Sequence, residues 1–381
     1  MKILYVYNSL ALWGGVERIL VDKMNYLADV YGDEVYMLTY NQGSHVVPFE
    51  MSSKVHYEDL HVNTHHQYHY RGPRRYMERY RRNRLLCQRL SEQLHAIDPD
   101  IIVTSTAGEL RLLLRLKGRA KLLIESHSDF AHVVEADVMN WRRRAEQRQR
   151  YRLLRKVDML VALTEADAER WRALTPHVKV VPNIVHLNTS GQYSSLAGKH
   201  VIFVGRFARQ KAVPDLLEAW QIVNRRHPDW TLDLYGEGEH KGELIAVVQQ
   251  LDANVSVHEP TADILEKYRE SSLFVLTSLY EPFGLVIPEA MSCGLPVVSF
   301  EGDGPNSIIT DGKDGYIVRD RNIQAFADSV CRLIEDETLR KRMGLAAIQT
   351  AQRYSAACIM PQWKELFESL AEKREYGKLV R

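Results

Sequence analysis

Two successive rounds of one rhythm constrain this chain more than anything else in it. Short apolar runs alternate with longer amphipathic segments, the pattern of strands joined by helices in a parallel sheet. In the first round Ile3–Tyr7, Glu34–Leu38, Ile101–Ser105, Leu122–Glu125, Met159–Leu163 and Val178–Val181 read as strands, with Val16–Val30 and Tyr76–Ile97 as helices. The second round supplies His200–Gly205, Thr231–Tyr235, Val255–His258, Leu273–Thr277, Pro296–Ser299 and Gly315–Val318. After Glu335 the pattern is helical to the end. Sheets of this kind bind ligands at the C-terminal ends of their strands. The expected architecture is therefore α/β, two Rossmann-like domains facing across a cleft to which each contributes strand-end loops.

A chain of 381 residues suits two domains. The stretch 182–199 is rich in Asn, Ser, Thr and Gly and weak in periodic hydrophobicity, as linkers are. This sets a boundary between residues 1–185 and residues 186–360. Residues 1–185 hold 28 Lys and Arg against 22 Asp and Glu, and the remainder 22 against 27, so the halves are expected to meet different partners. The net +1 is too small a surplus to argue for nucleic acid. No apolar stretch approaches the roughly 18–20 residues of a membrane span. The apolar run at the start stops at Asn8-Ser9 and reads as a strand, not a secretory signal. Cys87, Cys293, Cys331 and Cys358 are far apart and form no Cys-x-x-Cys pair, which suggests free thiols in a reducing cytoplasm.

Several strand ends carry residues suited to a phosphorylated ligand. After the first strand, NSLALWGGV runs into Gly14-Gly15 and then a helix; glycines and a helix N-terminus let backbone N–H groups approach an anion, although a plain turn would look the same. Arg206 and Lys211 follow the strand that opens the second half and could grip a diphosphate. Glu237, between Gly236 and Gly238, follows another strand and could lie under a base or ribose, or in a simple surface turn. The most informative segment is SLYEPFGLVIPEAMSCGLPVVS, residues 278–299. Pro282 and Gly284 favour a turn after Glu281, and Pro288 suits a first helical turn, which puts Glu289 at a helix N-terminus. The N–H groups of Phe283, Gly284 and Leu285 could meet sugar hydroxyls or phosphate, while Glu281 and Glu289 could accept sugar and ribose hydroxyls. No Cys/His cluster has metal-ligand spacing. Asp98-Pro99-Asp100 precedes a strand, at the wrong end for a ligand. His65, His66 and His69 read as part of a flexible, exposed loop in which metal binding is a minor alternative.

The Glu–seven residues–Glu pattern of Glu281 and Glu289 resembles that of the family 4 retaining glycosyltransferases (glycosyl transferases group 1), which have the GT-B fold. Gly14-Gly15-Val16-Glu17 is similar to that family's early Gly-Gly loop, and Gly205-Arg206, Lys211 and Gly294-Leu295-Pro296-Val297-Val298 match in position and order. The resemblance implies that Arg206 and Lys211 stabilise the departing diphosphate, that Glu281 holds the donor sugar and Glu289 the ribose, and that His127 lies near the sugar. It implies a final segment, about 361–381, packed back on the first domain. It also implies a nucleotide-sugar donor, with UDP favoured, and no cofactor or metal. One departure is Ser307, where the family often has an acid.

With no enzymic nucleophile in view, the expected chemistry is same-face hexosyl transfer in which the leaving phosphate takes the acceptor's proton. The expected acceptor is a glycan or lipid-linked glycan of a surface polysaccharide. Arg71–Arg89 holds eight Arg against Glu78, and Arg142–Lys156 seven Arg and one Lys against Glu146. Such stretches are either solvated faces or basic amphipathic helices on an anionic membrane surface, and peripheral association on the inner face of the plasma membrane is expected. Competing readings are a sugar-nucleotide 2-epimerase of the same fold, a non-catalytic nucleotide-sugar-binding protein and a dinucleotide oxidoreductase. The last lacks a Gly-x-Gly-x-x-Gly after the first strand.

Overall fold

The computed structural model describes residues 1–12, 14–105, 109–128, 130 and 141–379. The chain forms two compact units, one of Met1–Ile184 with the chain from Ile359 onward, the other Val185–Cys358. Trp13, in the segment NSLALWGGV singled out above, and Asp129, two residues after His127, lie outside the described residues.

Unit 1 is built on seven strands, β1 (Lys2–Tyr7), β2 (Glu34–Thr39), β3 (Val55–Asp59), β4 (Ile101–Ser105), β5 (Lys121–Glu125), β6 (Met159–Ala162) and β7 (Val178–Val180). All pair in parallel, in the order β3-β2-β1-β4-β5-β6-β7. Its helices are α1 (Gly15–Asp29), α2 (Gly72–Ile97), α3 (Leu110–Leu116), α4 (Trp141–Leu154) and α5 (Glu165–Arg172). The central strands are covered on both faces, so they read as unbroken apolar runs: Ile3, Leu4 and Tyr5 are fully buried, as are Ile101, Ile102 and Val103.

Unit 2 repeats the plan with β8 (His200–Val204), β9 (Thr231–Tyr235), β10 (Val255–His258), β11 (Leu273–Leu276), β12 (Val297–Phe300) and β13 (Gly315–Val318), in the order β10-β9-β8-β11-β12-β13, again all parallel. Its helices are α6 (Val213–Arg226), α7 (Lys241–Val248), α8 (Ile264–Glu270), α9 (Val286–Ser292), α10 (Asp303–Ile308), α11 (Ile323–Glu335) and α12 (Glu337–Ala351). Asn322 and Asp336 cap α11 and α12 through the N–H groups of Ala325 and Leu339. In each unit the strand order reverses once, between β1 and β4 and between β8 and β11. These switch points are where a doubly wound sheet opens a crevice for ligands.

The last helix, α13 (Ala356–Leu379), joins unit 1 from Ile359 onward. Ile359, Met360, Trp363, Leu366, Phe367 and Leu370 are buried, an i, i+3, i+4 stripe. Lys364 Nζ reaches both oxygens of Asp33 at 2.9 Å, and Asp33 also takes the N-terminal ammonium at 3.0 Å.

Four sequence expectations change. The apolar rhythm does not show β3, an edge strand in which only Val55 is buried, so no apolar run announces it. The histidine loop is an ordered 3-10 turn, Thr64–His69, packed against α2. The segment 182–199 is not a free tether: Val185, Leu187, Asn188 and Leu196 are buried, and Arg340 clasps the Leu196 carbonyl at 2.9 Å. The arginine positions of α4 fall all round the helix, so it is basic without being amphipathic.

Trp363 is 3% exposed, with the Lys23 ammonium 4.2 Å from its ring centre. Trp363→Ala is expected to cost unit 1 about 3–5 kcal/mol by leaving a cavity, read as lost hydrogen-exchange protection in β1, β2 and α1. Unchanged protection there would show that α13 does not brace the sheet.

Candidate active site

In unit 2 the chemistry gathers at the C-terminal ends of β8, β9 and β11. Gly205 follows β8; Arg206 is exposed and forms no ion pair among the described residues. The chain then makes a 3-10 turn, Arg209–Lys211. Lys211 Nζ is paired with Glu281 Oε2, which also accepts from Ser278 Oγ at 3.1 Å. Around this pair the loops after β8 and β11 are laced together. Thr277 Oγ1 donates to the carbonyls of Lys211 and Ala212 at 3.1 and 3.2 Å, Gln210 Nε2 donates to the Tyr280 carbonyl at 3.0 Å, and Leu279 N–H to that of Gln210 at 2.7 Å. Lys211 and Glu281 are thus held on one rigid edge, with the exposed Arg206 on the same loop after β8.

The segment that contains Glu281 is equally fixed. Phe283 is buried and packs edge-on against Tyr354, with ring centres 5.4 Å apart. Gly284 has φ +88°, a conformation that favours glycine and lets the chain turn into α9. Gly304 N–H donates to the Glu281 carbonyl at 2.9 Å, and any side chain at Gly304 would collide with the Phe283 carbonyl oxygen. The backbone around Phe283, Gly284 and Leu285 therefore has one path. Glu289 lies half-buried in the first turn of α9, beside the buried Tyr268 phenol, whose acidity burial and the Glu289 charge both suppress. Glu237 is different. Its carboxylate pairs with Lys241 at 2.6 Å and is mostly exposed, while its carbonyl accepts from Phe207 N–H at 2.9 Å. Its contribution to the edge is backbone packing against the loop that carries Arg206.

The sequence reading overlooked Arg321. It donates to the carbonyls of Ser278 and Thr277 at 2.9 Å, pairs with Asp215 and lies over the Phe300 ring at 4.5 Å. One guanidinium thus holds the chain just before Glu281 from behind. Its φ of +48° and that of Asp320, +54°, mark a tight turn that carries no glycine to announce it.

In unit 1, Gly14 caps α1 at the C-terminal end of β1, and the Glu17 side chain folds back over it into the space a Cβ would need. His127 follows β5 and is nearly buried. Its Nε2 lies 3.0 Å from Glu125 Oε2 and 3.5 Å from the Tyr7 hydroxyl, and its Nδ1 is buried with no partner among the described residues. Glu125 is also paired at 2.5 Å with Lys23, which is 1% exposed. Burial works to raise the Glu125 carboxyl, but the Lys23 charge and the His127 hydrogen bond outweigh it and hold it at about 2. Burial lowers the Lys23 ammonium against the pull of Glu125. The pair fixes the imidazole edge, and neither Lys23 nor Glu125 stood out in the sequence, because they meet only across 102 residues of chain. Among the described residues no group of three or more His, Cys, Asp and Glu side chains is placed to hold a metal ion.

Lys23→Met removes one charge of a buried pair and is expected to cost about 3–5 kcal/mol. Glu125 in the folded state lies below its unfolded value of about 4.3, so its stabilising effect is full above that pH and disappears as pH falls toward 2. The variant, in which burial raises Glu125, should therefore lag the wild type most at neutral pH, and the gap should close as pH falls, read from denaturant melts followed by circular dichroism at several pH values. A gap that does not change with pH would show that the pair does not govern unit 1.

Two family models match the chain: Glycosyltransferase Family 4 over residues 13–189 and Glycosyl transferases group 1 over residues 194–350. An exopolysaccharide phosphotransferase of Streptomyces coelicolor is 31% identical over 58% of this chain and 24% of its own length. The amylovoran biosynthesis glycosyltransferase AmsD of Erwinia amylovora is 32% identical over 55% of this chain and 62% of its own. The matched stretches thus cover less than two thirds of either relative. Among solved structures, a point mutant of S. aureus TarM in complex with Fondaparinux, alpha-GlcNAc-glycerol and UDP superposes with a TM-score of 0.77 over 96% of this chain and 99% of its own, at 15% identity, a likeness of fold.

Proposed function

Because the chain belongs to the group 1 and family 4 glycosyltransferases of GT-B fold, we propose that it transfers a hexose from a UDP-sugar to a glycan acceptor in polysaccharide biosynthesis, with retention at the anomeric carbon. The observation that carries this reading is the edge formed by Arg206, Lys211 and Glu281 at the switch point of unit 2. As the bond from the anomeric carbon to the diphosphate breaks, negative charge grows on the leaving oxygen. Arg206, with no ion pair among the described residues, and Lys211 meet that charge, which is where preorganised cations lower a barrier most. Glu281, held by Ser278, accepts a hydroxyl of the donor sugar, and Glu289 the ribose hydroxyls. The acceptor oxygen attacks the face that the diphosphate leaves, and its proton passes to the departing phosphate oxygen. The two cations do the charge neutralisation that a divalent metal does elsewhere, so no metal enters the scheme. His127, oriented by Glu125, is assigned to the donor sugar. UDP is chosen because TarM carries it.

A thermal-shift series with UDP-, GDP-, ADP- and dTDP-sugars, without added metal, tests this. A ligand at a hundred times its Kd adds about 2.7 kcal/mol. The UDP-sugars should raise Tm, Arg206→Ala and Glu289→Ala should abolish the rise, and Lys211→Ala should lower turnover about 10²–10³-fold. The sugar first released by slow donor hydrolysis, read by NMR, should keep the donor's anomeric configuration. No response to any sugar nucleotide, or an inverted anomer, overturns the scheme.

The acceptor is proposed to be lipid-linked and reached from a membrane surface. Among the described residues no helix is long and apolar enough to cross a membrane. Support comes from the N-terminal half of α2, where Arg71, Arg74, Arg75, Arg79, Arg81 and Arg84 are exposed together with Tyr76, Met77 and Tyr80, these last three 58–68% exposed. Basic and aromatic side chains together suit an anionic lipid interface. Vesicles that contain phosphatidylglycerol should co-sediment the protein better than phosphatidylcholine vesicles. Replacing four of these arginines with Gln should remove the difference, and equal sedimentation would exclude this docking.

A further inference from the structure

At the far side of the unit 1 sheet, the C-terminal ends of β2 and β3 enclose a second pocket, of about 500 Å³. Its walls include Asn41, Asn63, His45, His61, His65 and His66, and no carboxylate lines it. Its floor is rigid. Gln42 Oε1 accepts from Leu10 N–H at 2.8 Å and Ser9 Oγ at 3.0 Å, so the pocket is tied to the loop that leads into Gly14-Gly15. Asn41 binds Thr64 N–H and Oγ at 2.5 and 3.1 Å. His61 and Asn63 adopt φ +48° and +53°, strained for residues with side chains, and Arg82 holds that turn through the carbonyls of Val62 and Asn63 at 2.5 and 3.0 Å.

The imidazoles lie close to one another. The rings of His65 and His66 are 4.6 Å apart and those of His66 and His69 5.0 Å apart. Burial first, then His65, Arg82 and His69, disfavours the charged form of His66; only Glu78, itself paired with Arg82 at 2.9 Å, works the other way. The other acid nearby, Asp59, faces His61 at 2.9 Å. His65 and His66 line the pocket with no carboxylate of the lining beside them, and the charged form of His66, which its surroundings disfavour, is one that a bound anion would favour.

We propose that this pocket binds the phosphate or diphosphate group of the acceptor, with the imidazoles of His65 and His66 donating to its oxygens. The proposal deepens the transferase reading, because it assigns a phosphate-bearing acceptor to unit 1. Its place fits: Gln42 ties the pocket to Ser9 and Leu10 after β1, and the pocket lies at the strand ends where ligands of this architecture bind. Affinity should rise as pH falls toward about 6, below which the phosphate itself protonates.

The test follows the histidine ring C–H signals of the whole chain by NMR, assigned with His65→Gln and His66→Gln. The probes are inorganic pyrophosphate, glycerol 1-phosphate, and phosphatidylcholine vesicles with and without phosphatidic acid. In wild type, the His65 and His66 signals should move on addition of probe. The double variant should bind glycerol 1-phosphate at least tenfold more weakly, while its response to UDP, which reports folding and the unit 2 site, is kept. A response to glycerol 1-phosphate supports a soluble phosphate-bearing acceptor, and a response to phosphatidic acid vesicles alone supports a lipid headgroup. His65 and His66 signals that ignore every probe, or undiminished affinity in the double variant, overturn the proposal. Loss of the UDP response in wild type would instead strike the transferase reading, and the two failures are read from different signals.

Discussion

A parallel strand pair cannot be closed by a hairpin. Each strand must be followed by a crossover that returns the chain to the starting edge, and nearly all such crossovers have one hand. Both sheets are parallel throughout, which sends every strand C-terminus of a sheet to the same edge. Where the order of strands reverses, two neighbouring crossovers part to opposite faces and leave their loops without cover. In unit 2 that place is between β8 and β11, and it brings Lys211 against Glu281 across seventy residues of sequence. The position of the candidate site is a consequence of connectivity before it is one of chemistry.

Two lysine–glutamate pairs then do different work. Lys23 and Glu125 are almost wholly withdrawn from water, where each charge alone would be costly. They persist because each satisfies the other, with Trp363 covering the ammonium and His127 sharing the carboxylate. The result is a fixed imidazole and a C-terminal helix anchored by the same cluster. Lys211 and Glu281 sit nearer the surface, at 14% and 10% side-chain exposure. There the pair fixes the Lys211 ammonium in place, and Arg206 adds a cation that forms no ion pair among the described residues.

Most of the strands were readable because buried parallel strands are apolar on both faces and bounded by turn residues. Glu281, Glu289, Arg206 and Lys211 were readable because glycine and proline punctuate the segments that carry them. The failures have equally physical causes. Edge strand β3 buries only Val55, so its sequence, VHYED, looks like a loop. The 3-10 turn at Thr64–His69 draws its order from Arg82 and Asn41, partners that lie elsewhere in the sequence. Arg321 supports the loop before Glu281 from more than forty residues away. The charges of α2 were visible, but which half of the helix is buried was not: Leu86, Leu90, Leu94 and Ile97 meet the core, and the preceding turns meet solvent.

The sequence by itself determined what local physics can fix. It set the alternation of strand and helix, the repetition of that plan, and the glycines and prolines that aim the loops around Glu281. Tertiary structure alone decided which charges meet. The Lys23–Glu125–His127 cluster, the Lys211–Glu281 pair, the grip of Arg321 and the histidine pocket all join residues that only chain crossovers bring together. Their energies depend on burial and on distances of a few ångströms, quantities that arise only once the sheets are closed.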